Sequence, residues 1–243
     1  MSFQGLKTLK TGAAYVHVAP GLVARLLAGG KLGLIGGCCS TDYRRMFNRR
    51  YAERDARSFR RRGLGSTSRT LVALAGDVDG ATVLDVGGGI GAIGLTLLER
   101  GAVRVTNVEL SAGYEDSARE LATERDVGAR VDRRIADFVE DADAIAEHDV
   151  VVMHRVVCCY PDIDALMDTA ARHARCVLVL TYPQQRVWIR GGLKLVNLLL
   201  RMNGCGFRTY LHPVERIHRS RHGLRLGRVE RNGLLWESAL LVR

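Results

Sequence analysis

The stretch VLDVGGGIGAIG, Val83 to Gly94, constrains the fold more than any other part of the chain. A short apolar run ends in an acid, glycines follow in quick succession, and a second apolar run begins. That order reads as a buried strand, a tight loop and a helix, with glycines letting the backbone approach a ligand at the helix N-terminus. Two registers compete. GIGAIG is a literal G-x-G-x-x-G, the dinucleotide fingerprint, whereas Asp85 to Gly91 is D-x-G-x-G-x-G. In a nicotinamide site the strand feeds straight into the first glycine of the fingerprint, but here Gly87 and Gly88 precede Gly89. The earlier register fits the strand end better. It sets the Asp85 carboxylate at the strand tip beside Gly87, Gly89 and Gly91. A carboxylate there is awkward for a pyrophosphate and useful for a ligand carrying an ammonium and a sulfonium, as S-adenosylmethionine does. An NAD-dependent oxidoreductase survives as an alternative through GIGAIG alone.

The rest of the chain alternates in kind. ATVLDV, VRVTNVE, RVDRRIADF, HDVVVMHRVV and CVLVLTY read as strands, the last opened by Cys176. IGAIGLTLLERG, SAGYEDSARELATERDVG and PDIDALMDTAARHA read as intervening helices. Strands alternating with helices imply a parallel α/β sheet covered on both faces. Near the end, LRLGRVE and LLWESALLV flank Arg231-Asn232-Gly233, and Asn-Gly favours a tight hairpin turn. Ahead of the first strand, YRRMFNRRYAERDARSFRRR is expected as one helix with an aromatic face of Tyr43, Phe47 and Tyr51. A second helix capped by Ser66 or Thr67 follows and runs to Gly76.

A chain of 243 residues with 47% hydrophobic and 26% charged residues fits one globular domain. No apolar run reaches the roughly 18 residues of a membrane-spanning helix. The net charge of +10 favours anionic partners: nucleic acid, an acidic lipid face or a carboxylate-bearing substrate. Six cysteines without C-x-x-C spacing read as free thiols of a reducing, cytoplasmic compartment, and no metal site is expected. Residues 1–37 read as an extension ahead of a single domain over 38–243, with lid helices at about 43–76.

Downstream of the glycine loop, Glu109 ends the second strand, where a carboxylate accepts hydrogen bonds from ribose hydroxyls. Asp137-Phe138 follows the third, as an acceptor for an adenine amino group and a backing for its ring. With these residues the sequence resembles the class I S-adenosylmethionine-dependent methyltransferases. The likeness implies a Rossmann-like, mostly parallel seven-stranded sheet of order 3-2-1-4-5-7-6. HRVVCCYPD after strand four, LTYP after strand five and FRTYLH before the final helix narrow the resemblance to the magnesium protoporphyrin IX O-methyltransferase group, matched at Tyr160, Pro161, Tyr210 and His212. The chain departs from that group at Cys159, where the group has histidine, so a base at that position does not carry over.

Methyl transfer from a sulfonium is an in-line displacement, so alignment and water exclusion matter more than a strong base. His154 faces either the crevice, beside the cofactor, or the core. His212 reaches the substrate or stabilises a turn before Pro213. Tyr160 lines the acceptor side or packs under the next helix. Tyr43, Phe47 and Tyr51 form either core or a substrate lid. A basic helix spanning 186–201 either roofs the pocket or lies peripherally on an anionic membrane. The expected reaction is O-methylation of a small-molecule acceptor, porphyrin-like or another lipophilic carboxylate or hydroxyl. A nucleic-acid methyltransferase or binding module is the third reading, supported by charge but lacking an Asn/Asp-Pro-Pro-Tyr motif after strand four.

Overall fold

The computed structural model describes residues 39–243; the expected extension lies outside them. Two helices come first, α1 (Cys39–Met46) and α2 (Arg49–Arg62), followed by α3 (Ser66–Leu74). The single entry helix expected from the aromatic spacing is therefore two. Asn48 interrupts it with extended backbone, and its side-chain oxygen caps the new start by accepting from the amides of Arg50 and Tyr51. The α3 start uses Gly65 without a side-chain cap, in place of Ser66 or Thr67.

Then β1 (Thr82–Val86), α4 (Ala92–Glu99), β2 (Arg104–Glu109), α5 (Glu115–Glu124), β3 (Val131–Ile135), β4 (His148–Met153), α6 (Ile163–His173) and β5 (Ala174–Pro183) alternate as expected. Helix α7 (Val187–Met202), the short α8 (Val214–His218), β6 (Arg225–Asn232) and β7 (Trp236–Val242) complete the chain. The seven strands form one sheet of order β3-β2-β1-β4-β5-β7-β6. The first five are mutually parallel, while β7 is antiparallel to both β5 and β6. Asn232 still pairs with Trp236 across the hairpin, so the turn is the three residues from Gly233 to Leu235, wider than Asn-Gly suggested. Strand β5 starts two residues before Cys176, which is exposed.

Alternation along the strands splits the apolar interior in two. Val83, Val105, Val150, Val152 and Val179 face α2, α3, α4 and α5 on one side of the sheet. Leu84, Val86, Val108, Val151, Met153, Leu178 and Leu180 face α6 on the other. Strand order reverses between β1 and β4, so the crevice at the carboxyl ends of these strands is the binding place an open α/β sheet offers.

Candidate functional site at the glycine loop

The loop leaves β1 at Gly87 and enters α4 through Gly91, whose φ of 77° is left-handed and costs glycine little. Gly88 is fixed by space. A Cβ there would sit 2.2 Å from Asn107 Nδ2 and 2.5 Å from Asp85 Oδ2. The loop is thus folded directly over the Asp85 side chain, which is fully buried. Asp85 Oδ2 accepts from the Gly94 amide at 3.3 Å and from Asn107 Nδ2 at 3.4 Å. Among the described residues Oδ1 has no hydrogen-bond partner. Burial pushes this carboxyl up to about 7, against the pull of Gly94 and of the Arg133 charge. The Gly94 amide, third glycine of GIGAIG, is therefore engaged by a carboxylate.

Register explains what lies beside Asp85. Asp85 pairs with Asn107 on β2, and Asn107 pairs with Arg133 on β3. Lateral partners in a parallel sheet share a face, so three polar side chains form a row under the loop. Arg133 Nη1 donates to the Gly89 carbonyl at 3.2 Å and its Nε to Glu115 at 2.9 Å. Asn107 Oδ1 and Arg133 Nη2 are buried without partners among the described residues. Both residues line a cavity of about 10 Å³, about the room one water needs.

Glu109, at the tip of β2, is 1% exposed. Its two oxygens accept from the Gly89 amide at 3.0 Å and the Ser111 amide at 2.9 Å, while burial raises its carboxyl above the usual range. Glycine loop, Asp85 and Glu109 meet at one place, as the spacing required. Asp137 lies in the turn beyond β3 and accepts from the Val139 amide at 2.9 Å and the Tyr160 hydroxyl at 3.4 Å. Phe138 corrects an expectation. Strand β3 has ended by Ile135, and the Phe138 ring is buried edge-on against His173, 5.4 Å away, in the core rather than toward a crevice.

The opposite wall is the loop after β4. Arg155 holds left-handed backbone, φ 61°, with its amide bonded to Thr181 Oγ1 at 2.8 Å. The Cys158 and Cys159 thiols both reach the Arg155 carbonyl and lie 3.7 Å apart. His154 is also corrected. Its ring nitrogens meet Ser68 Oγ at 3.3 Å and Thr181 Oγ1 at 3.4 Å, and desolvation lowers its pKa to about 3. It ties α3 to β5 as a neutral ring and leaves the catalytic and cofactor sets. His212 Nε2 donates to the Tyr160 carbonyl at 2.9 Å, the ring stacks on Tyr210, and burial lowers its pKa. The structure therefore brings Tyr160, Tyr210 and His212 together, with His212 fastening the return segment after α7 to the β4 loop.

Helix α1 covers this region. Tyr43, Phe47 and Phe207 pack ring to ring, with Tyr43 and Phe47 centroids 4.5 Å apart and Phe47 at 5.8 Å from Phe207. Tyr51 joins through Phe47 at 5.7 Å and carries Arg54 over its ring. Ser111 Oγ donates to the Phe47 carbonyl, and the Gly206 amide donates to Asp42 at 2.8 Å. Burial raises the Tyr43 hydroxyl, reinforced by the charge of Glu109. The aromatic stripe is thus packed and also set over the crevice. Asn107, Arg133 and Ser111 join the candidate site without a signal in local sequence, whereas Phe207 opens the FRTYLH motif; only the register across three strands brings Asn107 and Arg133 under the loop.

Residues 83–176 match the family model described as "Methyltransferase domain". A search of curated proteins found no match. Among solved structures, the chain is similar to magnesium protoporphyrin IX methyltransferase from Synechocystis PCC 6803 with bound SAM. That match has 20% identity and a TM-score of 0.63, over 87% of this chain and 100% of the other. It is also similar to an O-methyltransferase family protein from Burkholderia thailandensis, at 20% identity and TM-score 0.59, over 80% of this chain and 60% of that one. A putative sarcosine dimethylglycine methyltransferase from Galdieria sulphuraria aligns at 13% identity and TM-score 0.55, over 72% and 84%. The matched span runs from β1 into β5 and contains the glycine loop, Glu109, Asp137 and the β4 wall. The D-x-G-x-G-x-G register and the strand order agree with that match, and residues 83–176 carry a methyltransferase domain on a Rossmann-like methyltransferase fold.

Proposed function

We propose that the protein methylates a carboxylate oxygen of a lipophilic small molecule, porphyrin-like in character, and works at the periphery of a membrane. The residues suit the methyl donor. The glycines of the loop admit close approach, Glu109 stands at the β2 tip, and Asp85 Oδ1 is a buried acceptor still lacking a donor. Bound there, S-adenosylmethionine supplies a methyl on a sulfonium, ready for in-line displacement. In this reading Asp85, Gly87, Gly89, Gly91, Glu109 and Asp137 hold the donor, Asp85 by fixing the loop from beneath. Tyr160 and His212 shape the acceptor wall, and Tyr43, Phe47 and Tyr51 exclude water as a lid.

The observation that carries the choice of acceptor is that both histidines near the wall are committed. His154 is held neutral between two hydroxyls, and the His212 Nε2 proton is spent on the Tyr160 carbonyl. Tyr160, its own hydroxyl pushed up by burial and by Asp137, is a poor base at neutral pH. A carboxylate acceptor arrives ionised and needs no base, whereas an aliphatic hydroxyl would need one. The similarity to a magnesium protoporphyrin IX methyltransferase supports the same acceptor class.

The test is transfer of labelled methyl to a panel of porphyrin and other amphiphilic carboxylic acids, alongside the matching alcohols. Label appearing on acids alone, and released by mild base as an ester is, is the expected result. Base-stable label on the alcohols would overturn it.

A further inference from the structure

Helix α7 has two outward surfaces of different chemistry. Its inner side is fixed by buried Ile189 and Leu200, and by Asn197, which exchanges two hydrogen bonds of 2.8 Å with the Thr209 backbone. At 3.6 residues per turn, Trp188, Leu195, Leu198 and Met202 fall within an arc of about 80° on the outer side. They are 51%, 56%, 53% and 65% exposed. Arg190, Lys194 and Arg201 occupy the adjoining arc of about 40°, all of them exposed. An apolar stripe edged by cations matches a helix lying in a bilayer interface, apolar side chains entering the acyl boundary and ammonium or guanidinium groups at the headgroups.

Charge selects the occupant. From Thr169 to Val214 the sequence contains no aspartate or glutamate, while Arg186, Arg190, Lys194, Arg201 and Arg208 fall within it. A protein partner could match such a stripe only by supplying its own acids in register. An anionic leaflet supplies negative charge everywhere. Position adds a reason. The segment returning from α7 contributes Gly206 and Phe207 to the lid contacts, and its Tyr210 amide donates to the Cys158 carbonyl at 2.8 Å. The stripe therefore sits on the helix that leads into, and through Asn197 is bonded to, the segment lining the proposed acceptor side.

We infer that α7 docks on an anionic lipid surface through Trp188, Leu195, Leu198 and Met202, with Arg190, Lys194 and Arg201 on the headgroups. Docking holds the acceptor side against the bilayer. This rests on the lipophilic-acceptor reading above, and the experiment separates the two.

Full-length protein is sedimented with vesicles of phosphatidylcholine alone, and of phosphatidylcholine mixed with phosphatidylglycerol. Partition is expected to be at least about tenfold stronger on the anionic vesicles and to fall with salt. Arg190→Gln/Lys194→Gln and Leu195→Asp/Leu198→Asp should each weaken it by about tenfold, with S-adenosylhomocysteine affinity by calorimetry unchanged as proof of folding. Equal partition to both vesicles, no partition, or unaltered partition of both variants would overturn the inference. So would a dimer by light scattering that the leucine variant converts to monomer without any vesicle binding. Methyl transfer to detergent-dispersed acids that persists without vesicle binding sinks the docking surface alone. Vesicle binding without methyl transfer to any acid sinks the acceptor reading alone.

Discussion

Asp85 is buried beneath the glycine loop, which in the proposed reading holds the methyl donor. Its carboxyl, raised to about 7 by burial, holds a proton in the folded chain at pH values where the unfolded chain has released it. The stability from this group is full below the ordinary carboxylate pKa and is lost as pH rises through about 7. Asp85→Asn removes that dependence. The variant should gain on wild type between pH 5 and pH 8 by an amount on the order of a few kcal/mol, read from urea unfolding at each pH. A constant difference across that range would place the titration elsewhere. Asp85 was legible as a residue because its spacing to three glycines is local. Its neighbours were not. Asn107 and Arg133 look like ordinary strand residues until the lateral register is known, and Phe138 was misread because the end of β3 had to be known to within two residues.

Among elements, α1 carries the contacts on which the proposed lid rests. Tyr43 packs tilted and Phe47 edge-on against Phe207, Ser111 holds the helix end, and Asp42 reaches Gly206. Tyr43→Ala removes one ring of this cluster but none of the backbone bonds. The KM for acceptor should rise about tenfold, the equivalent of roughly 1.4 kcal/mol, with S-adenosylhomocysteine affinity within about twofold by calorimetry. Parallel losses of both would assign the helix to the donor pocket. The aromatic repeat of Tyr43, Phe47 and Tyr51 was readable as a face, yet it hid the break at Asn48, because spacing of four continues across it. Asn48 itself was the available cue, a good N-cap placed ahead of a helix-forming run. Helices α4, α5 and α6 and their strands were readable from periodicity alone, since each buries one apolar stripe. The polar clamps on α1 depend on residues far along the chain, which periodicity does not contain.

For the whole molecule, the order β3-β2-β1-β4-β5-β7-β6 followed from the resemblance rather than from patterning. Alternation told only that the sheet is largely parallel and ends in a hairpin. Both faces are covered, and among the described residues no helix is long and apolar enough to cross a membrane. The proposed donor site would join loops from β1, β2 and β3 to the proposed lid, so a ligand filling it should stabilise the molecule as a unit. S-adenosylhomocysteine at about 100 times its Kd should add about 2.7 kcal/mol and raise Tm by roughly 5–10 °C in a calorimetric scan. NAD⁺ at the same concentration should leave Tm unchanged, and a comparable rise with NAD⁺ would restore the GIGAIG register. The bond between Asp42 and Gly206 spans 164 positions of sequence. On the ribosome the cover is made before the vessel, and the amide that fastens α1 at Asp42 is added 164 positions later. That bond therefore forms only after β1 to β5 and α7 have been made, and a chain truncated before Gly206 would keep the Ser111 tie but lose this one.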